Sequence, residues 1–190
     1  MRLHPTAKAE SLWVVVNKKR RLNPVAYGPV LHSKINLAPP AASAFWALKA
    51  ELQRRGLGTL CLNSGYRSYG SQKSIHSARV AALGKIAGEN LAARPGHSEH
   101  QTGLAADVSI TSLGCRIGNF GSTDAYKWIA ANGHKYGFIV RYPWKLTDVT
   151  GYVWEPWHLR FVGKELATEM KNRKIKTLEQ FFSLPSAPSY

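Results

Sequence analysis

Long apolar runs are absent from this sequence. The longest purely apolar stretch near the N-terminus is Leu12–Val16, which is far shorter than the roughly 20 residues that a helix needs to cross a bilayer. It is also shorter than the apolar segment of a secretory leader, so the sequence predicts neither a membrane span nor a leader. If the protein acts outside a cell, we expect its export signal to have been removed or its release to follow another route. The 190 residues, 44% of them hydrophobic, are enough for one sizeable core and predict a single domain.

Acidic residues and cysteines are scarce. Only 11 Asp and Glu stand against 26 Lys and Arg, and the resulting net charge of +15 favours a polyanionic partner: nucleic acid, an anionic membrane or an anionic wall polymer. The densest basic clusters are Lys18–Arg21 and Lys171–Lys176, and each is interpreted as a solvated surface patch. Cys61 and Cys115 form no CxxC or zinc-finger spacing. The sequence leaves open whether they form a disulfide or stay as two separate buried thiols.

Several motifs of hydrolytic enzymes are also missing. The chain has no GxSxG elbow, no SxxK and no KTG, which excludes the usual patterns of serine hydrolases and serine penicillin-binding proteins. It has no HExxH zinc motif. A Cys–His peptidase is not favoured, because Cys61 lies within an apolar strand segment and Cys115 lies in a loop without a nearby base.

The patterns that are present predict an α+β fold, because helices and strands are mixed without a regular βαβ rhythm. We expect strands over residues 11–19, 59–62, 104–110 and 136–143. We expect helices over residues 41–56, 68–85 with Ser68 as the N-cap, 122–132 and 164–174. The domain is predicted to span residues 1–182, followed by a loose tail over 183–190.

The first chemical candidate is the stretch RPGHSEHQTGLAADVSI, residues 94–110. His100 lies on a tight loop that leads into a strand, and strand alternation places Asp107 on the face opposite the apolar positions 104, 106, 108 and 110. A loop followed by a strand can bring both side chains to one point, but this spacing alone does not distinguish a metal pair from a polar turn. Pro95-Gly96 argues against a helix that would carry His97 to the same point.

The second candidate is the sequence EPWH, which contains Glu155 and His158. Residues three apart in an unbroken strand point to opposite faces, but Pro156 predicts an edge, a turn or a bulge, which would let both groups converge. A turn with surface charges is the alternative. Together the two candidates supply three ligands, His100, Asp107 and His158, and one free carboxylate, Glu155. Catalytic zinc takes three such ligands and a water, whose proton a free carboxylate can accept.

Arg67 is a candidate substrate residue. It ends a predicted strand in SGYRS, where its guanidinium could bind a carboxylate or a developing oxyanion. Gln72, five residues later, could share that surface. The alternative for Arg67 is an ordinary surface ion pair.

Four blocks of the chain resemble the VanY-type D-alanyl-D-alanine carboxypeptidases, zinc peptidases of peptidase family M15. The blocks are VNKKRRLNPVAYGP, SGYRSYGSQ, RPGHSEHQTGLAADV, and YGFIVRYP with TGYVWEPWHLRFVG. The resemblance implies zinc as the cofactor, with His100, Asp107 and His158 as its ligands, Glu155 as the catalytic base, Arg67 as a substrate and transition-state residue, and Gln72 and Ser98 as substrate-site residues. One small departure is Phe161, where relatives often have tyrosine.

The resemblance also implies a fold, a reaction and a location. We expect helices around a small antiparallel sheet that carries the zinc site, as in the Hedgehog/DD-peptidase fold. We expect a monomer, outside the cell or in a bacterial wall, that removes the terminal D-Ala from peptidoglycan stem peptides ending in D-Ala-D-Ala and has no nucleic-acid partner. Two alternatives stay open. One is a peptidoglycan endopeptidase, such as a phage endolysin released at lysis, with the same zinc site. The other is a non-catalytic basic module that binds wall polymers or nucleic acid.

Overall fold

The structure is a computed structural model that describes residues 5–190, and its centre is a four-stranded antiparallel sheet. The strands are β1 (Leu60–Ser64), β2 (Ala105–Ile110), β3 (Phe138–Tyr142) and β4 (Glu155–Phe161), in the spatial order β1-β2-β4-β3. β2 and β4 are therefore the interior strands, and they pair antiparallel with Asp107 opposite His158. The predicted α+β class with a small antiparallel sheet is confirmed. Residues 1–4 of the predicted domain lie outside the described residues.

Helices surround this sheet. They are α1 (Pro39–Arg54), α2 (Tyr69–Leu83), α3 (Lys85–Leu91), α4 (Asp124–Asn132), α5 (Thr147–Thr150), α6 (Lys164–Asn172) and α7 (Leu178–Phe181). α2 begins as predicted, because the hydroxyl of Ser68 accepts the N–H of Ser71 at 3.1 Å. α4 begins at Asp124, two residues later than predicted, because Thr123 caps it by accepting the N–H of Tyr126.

The main core lies between α1 and one face of the sheet. The apolar face of β2 contributes Leu104, Ala106, Val108 and Ile110, and α1 contributes Phe45, Leu48 and Leu52. This confirms the predicted strand parity, since the even positions from 104 to 110 all enter the core. The odd positions, including Asp107, face the other side of the sheet, where a polar site can form.

The strand predicted over residues 11–19 is wrong. This segment runs through turns, and its strand-like contact is an isolated bridge between Asn17 and Arg20. Its valines are buried because alternate residues enter different clusters: Val15 packs with α6, while Val14 and Val16 pack with Leu22. β-Branched residues predicted the burial correctly, but a strand also needs a neighbouring strand to pair with.

Lys18–Arg21 is only in part the solvated patch that was predicted, because Lys19 and Arg21 are exposed but Lys18 is not. Lys18 is buried, its ammonium donates to Asn90 Oδ1 at 3.1 Å, and it lies 5.1 Å from the ring centroid of Tyr152. Its stem lies against Gly151, which has no side chain to block it. This lysine therefore ties the N-terminal segment to the rest of the molecule.

Cys61 and Cys115 form a disulfide, which resolves the alternative left open by the sequence. The bond joins the edge strand β1 to the loop that follows β2. The side-chain amide of Asn63 donates to the carbonyl of Cys115 at the same place. The loop after β2 is therefore held against the edge of the sheet by both a covalent bond and a hydrogen bond.

The tail over residues 183–190 is packed, so the prediction of a loose tail is wrong. Ala187 is fully buried and donates its N–H to the carbonyl of Val149 at 2.9 Å. The Tyr190 hydroxyl accepts the N–H of Arg94 at 2.7 Å, and the Arg94 guanidinium lies 4.0 Å from the Tyr190 ring centroid. Ser and Pro prevented a regular element here, but they do not prevent burial of the small and aromatic side chains.

None of the described helices is long and apolar enough to cross a membrane.

Candidate active site

Three predicted ligands meet on the polar face of the sheet. Ligand atoms of His100, Asp107 and His158 all lie within 4.8 Å of one another, and all three residues are buried. Asp107 and His158 face the same way because they are directly paired residues of β2 and β4. His100 reaches them from the 3₁₀ turn Glu99–Thr102, which ends at Gly103 with a positive φ of 69°. A side chain at Gly103 would press against the backbone nitrogen of Ala38 at 3.1 Å.

His100 is oriented by the backbone. Its Nδ1 lies 2.6 Å from the carbonyl oxygen of Gly65, so Nδ1 donates its proton and Nε2 is left as the acceptor. Nε2 lies 3.2 Å from Asp107 Oδ2. Burial lowers the pKa of His100, although Asp107 opposes this effect. A neutral imidazole with a free Nε2 is the form that binds a metal.

Asp107 is the centre of the cluster. Its Oδ2 accepts a hydrogen bond from Arg67 Nη2 at 2.6 Å, and its Oδ1 lies 3.1 Å from His158 Nδ1. Burial opposes ionisation, but His100 and His158 hold the pKa of Asp107 well below its usual range. Oδ1 is buried and makes no hydrogen bond among the described residues. A carboxylate oxygen that faces an imidazole nitrogen in this way fits a shared cation, and two nitrogens and one oxygen are a donor set that Zn²⁺ prefers.

Glu155 stands beside the three ligands at the start of β4. Its Oε2 lies 3.7 Å from His158 Nδ1. The two side chains converge where the pairing of β3 with β4 shifts register between Val140 and Tyr142, so the distortion predicted at Pro156 is present as an irregularity in the pairing. Burial raises the pKa of Glu155 to about 7, assisted by the charge of Asp107. A carboxylate with a pKa near neutrality can both accept and return a proton.

The predicted substrate residues line one cleft of about 540 Å³ above the cluster. Arg67 donates through Nε to Ser64 Oγ at 2.8 Å, in addition to its contact with Asp107. Gln72 is buried, its amide nitrogen donates to the Ala93 carbonyl at 2.8 Å, and its Oε1 has no partner among the residues described. Ser98 is buried in the same cleft, which also contains Glu155.

His97 lies outside the cluster, whereas Glu99, which was not predicted, lies next to it. His97 lies away from the cluster, because its Nδ1 contacts the Asn17 carbonyl at 2.8 Å and its ring packs on Tyr190. Sequence reasoning missed Glu99, which is fully buried behind His158 and binds Arg141 and Arg160. Charged residues inside otherwise apolar strands were the signal that could have revealed this network, since such residues need buried partners.

Two imidazoles and one carboxylate around a point, with a second carboxylate beside them, define the site of a metal-dependent hydrolase. The chain belongs to the family of VanY D-alanyl-D-alanine carboxypeptidases, whose model matches residues 34–164. The family predicted from the four sequence blocks is therefore confirmed, and with it membership of a peptidase family.

Curated relatives agree with this family. YodJ of Bacillus subtilis (strain 168) is 48% identical over 120 residues, which are 63% of this chain and 44% of that protein. A D-alanyl-D-alanine carboxypeptidase of Enterococcus faecium is 33% identical over 155 residues, which are 82% of this chain and 46% of that protein. The chain thus spans less than half the length of either relative.

Solved structures share the fold. The LdcB LD-carboxypeptidase has a TM-score of 0.82 and 38% identity, with 94% of this chain and 88% of that chain covered. VanYB in complex with D-alanine-D-alanine has a TM-score of 0.77 and 31% identity, with 90% and 96% covered. A VanY mutant from a VanB-type resistance cassette, in complex with Zn(II), has the same TM-score and identity, with 89% and 97% covered. Together with the cluster of His100, Asp107 and His158, this zinc complex bears out the predicted cofactor.

Proposed function

We propose that this protein is a zinc-dependent D,D-carboxypeptidase that removes the terminal D-Ala from peptidoglycan stem peptides ending in D-Ala-D-Ala. The observation that carries the proposal is the convergence of three ligand side chains and the separate carboxylate of Glu155 in one cleft. The family model and the relatives named D-alanyl-D-alanine carboxypeptidase support the substrate.

His100, Asp107 and His158 would hold the zinc ion. When bound, zinc supplies a Lewis acid that polarises the scissile carbonyl and lowers the pKa of water. Glu155 accepts the proton of the attacking water and passes it to the departing amine of the terminal D-Ala. Arg67 stabilises the negative charge that develops on the carbonyl oxygen, since its guanidinium is fixed at the edge of the cleft by Ser64 and Asp107.

Gln72 and Ser98 would position the substrate. Oε1 of Gln72, which has no partner among residues 5–190, is a buried acceptor in the cleft and suits an amide N–H of the peptide. Ser98 adds a hydroxyl that can donate or accept. These contacts would hold the peptide while the terminal bond is cleaved.

The place of action belongs to the same proposal. A disulfide between Cys61 and Cys115 suits an oxidising environment outside the cytoplasm, in the wall or beyond it. The net charge of +15 suits attraction to anionic wall polymers. We propose a monomer whose peptidase domain spans residues 1–182, with residues 183–190 packed against it. It would act on stem peptides without a nucleic-acid partner.

An L,D-carboxypeptidase is the second candidate, and one comparison favours it. LdcB is an LD-carboxypeptidase that is 38% identical to this chain, against 31% for VanYB. Such an enzyme would remove the D-Ala that follows the L-centre of a tetrapeptide stem. The chemistry at Glu155 and the metal would be the same, and only the residue before the cleaved bond would differ.

A matched pair of peptides tests both candidates. Zinc-loaded protein is incubated with a pentapeptide stem ending in D-Ala-D-Ala and with the tetrapeptide that lacks the last residue, and free D-Ala is measured. Preferential release from the pentapeptide supports the D,D-activity, whereas release mainly from the tetrapeptide supports the second candidate. Cleavage of either peptide at an internal bond, without release of free D-Ala, would instead indicate an endopeptidase. Activity that survives complete removal of metal by a chelator would refute the zinc mechanism.

A further inference from the structure

Glu99 lies behind the candidate metal site, next in sequence to His100 and with no exposed surface on its side chain. Its Oε1 accepts hydrogen bonds from Arg141 Nε at 2.7 Å and from Arg160 Nη1 at 2.9 Å. Both guanidiniums are themselves fully buried. Oε1 is therefore occupied by two charged donors, which fix the carboxylate in place.

The other oxygen of Glu99 faces the site. Oε2 lies 3.4 Å from His158 Nε2. Neither atom makes a hydrogen bond within the part of the chain that the structure describes. A buried acceptor, Glu99 Oε2, thus faces a nitrogen that can carry a proton, His158 Nε2. The two atoms lie slightly beyond hydrogen-bond distance, and neither has another described partner.

His158 has its opposite nitrogen turned to the candidate metal position. Nδ1 lies 3.1 Å from Asp107 Oδ1 and 3.7 Å from Glu155 Oε2. A neutral imidazole carries one proton, and a metal on Nδ1 requires that this proton be on Nε2. The only described carboxylate on the Nε2 side of the ring is that of Glu99.

We propose that Glu99 is the positioning residue of the site: its Oε2 accepts the Nε2 proton of His158 and so fixes the tautomer and ring orientation that present Nδ1 to the metal. The inference rests on the proposed zinc-dependent function. Metal-binding histidines commonly need such an acceptor, and loss of the acceptor typically weakens metal binding by about 10- to 100-fold. Arg141 and Arg160 orient Glu99 for this task through their hydrogen bonds to Oε1.

Glu179 provides a matched control. It is buried and accepts two hydrogen bonds from the same Arg141, at 2.7 and 2.9 Å, as well as one from Asn17 at 3.0 Å. None of its described contacts is with His158. The variant E179Q therefore disturbs the same ionic network as E99Q without changing the acceptor on His158.

The test is zinc affinity, measured by competition with a chromogenic chelator for the wild-type protein, E99Q and E179Q. In E99Q the amide oxygen is retained by the arginines, so the amide N–H₂ faces the Nε2–H and two donors oppose each other. We expect E99Q to bind zinc about 10- to 100-fold more weakly and E179Q to stay within about threefold of the wild type. Both variants should melt at a lower temperature, which separates loss of stability from loss of metal affinity.

A second readout addresses the tautomer directly. In zinc-loaded protein with ¹⁵N-labelled histidine, we expect a protonated, slowly exchanging Nε2 on His158, and we expect faster exchange of that proton in E99Q. If E99Q does not fold, E99D replaces it, because a carboxylate withdrawn by one methylene should also weaken zinc binding by about tenfold or more.

Equal zinc affinity of the wild type and the Glu99 variant would refute the positioning role and leave the proposed function standing. An equal loss in E99Q and E179Q would also refute it, because the effect would then be structural. Failure of the wild type to bind zinc would refute the proposed function itself, and this inference with it.

Discussion

Glu155→Gln should separate catalysis from metal binding and from stability. The substitution preserves the volume of the side chain but removes its ability to accept a proton. No described side chain donates a hydrogen bond to Glu155, so the change leaves no buried donor unpaired. General-base catalysis contributes about 10²- to 10⁴-fold, so kcat should fall by this factor, which corresponds to about 3–5 kcal/mol of activation free energy.

The free energy of unfolding should rise in E155Q, although kcat falls. Burial raises the pKa of Glu155 from its ordinary value of 4.5 to about 7 in the metal-free protein. Holding this carboxylate ionised then costs about 3 kcal/mol, by the conversion of about 1.4 kcal/mol for each pH unit. A carboxyl group with a raised folded-state pKa destabilises the fold only above its unfolded-state value. The advantage of E155Q should therefore grow between pH 4.5 and about 7 and then stay constant.

The assay combines D-Ala release by the zinc-loaded enzyme with urea unfolding of the metal-free protein at pH 5 and pH 8. E165Q is the matched control, because Glu165 is exposed on α6 and should change neither quantity. Zinc content of E155Q should match that of the wild type, since Glu155 is not one of the three clustered ligands. Full activity of E155Q would refute its role as the base. A variant that is less stable at pH 8 would refute the electrostatic argument.

Three further predictions follow from the same contacts. Replacing Cys61 and Cys115 by Ala opens a crosslink that spans 54 positions and should cost about 4 kcal/mol in urea unfolding, and a loss below about 1 kcal/mol would contradict this. R67K should lower kcat/KM by about 100-fold or more, because an ammonium cannot reproduce the fork that binds Ser64 and Asp107. A kcat/KM within about threefold of the wild type would contradict the role of Arg67 in stabilising the transition state. Burial opposes ionisation of Glu179, but Arg141 holds its pKa below the usual value. The stability that Glu179 contributes should therefore be complete above about pH 4.5 and decline in more acidic solution. In thermal melts, E179Q should show a weaker dependence on acid than the wild type.

The sequence predicted the site better than its surroundings. Strand alternation placed Asp107 on the polar face, and the proline in EPWH indicated the distortion that brings Glu155 to His158, because both signals are local to the chain. The partners of Glu99 could not be predicted in this way. These partners are Arg141 on β3 and Arg160 on β4, and no spacing along the chain indicates which buried charges will meet.

The errors in the predicted fold also arise from contacts with residues distant in sequence. The valine-rich N-terminal segment was predicted as a strand from its apolar pattern, which reports burial and not the presence of a neighbouring strand. The Ser- and Pro-rich tail was predicted to be loose from its composition, yet Tyr190 packs on Arg94. In both segments the outcome was decided by distant residues that local patterns do not contain.

Two buried glutamates flank His158, and their environments suit them to the different roles proposed for them. Glu99 lies on the Nε2 side, where burial alone would raise its pKa, but Arg141 and Arg160 outweigh this and hold the pKa well below the usual range. Glu155 lies on the Nδ1 side, where burial dominates and the pKa rises to about 7. A permanently ionised carboxylate suits a fixed hydrogen-bond acceptor, whereas one that titrates near neutrality suits proton transfer. Since the side chains are chemically identical, the guanidiniums that contact only one of them account for the division between the two proposed roles, holding the histidine and moving the proton.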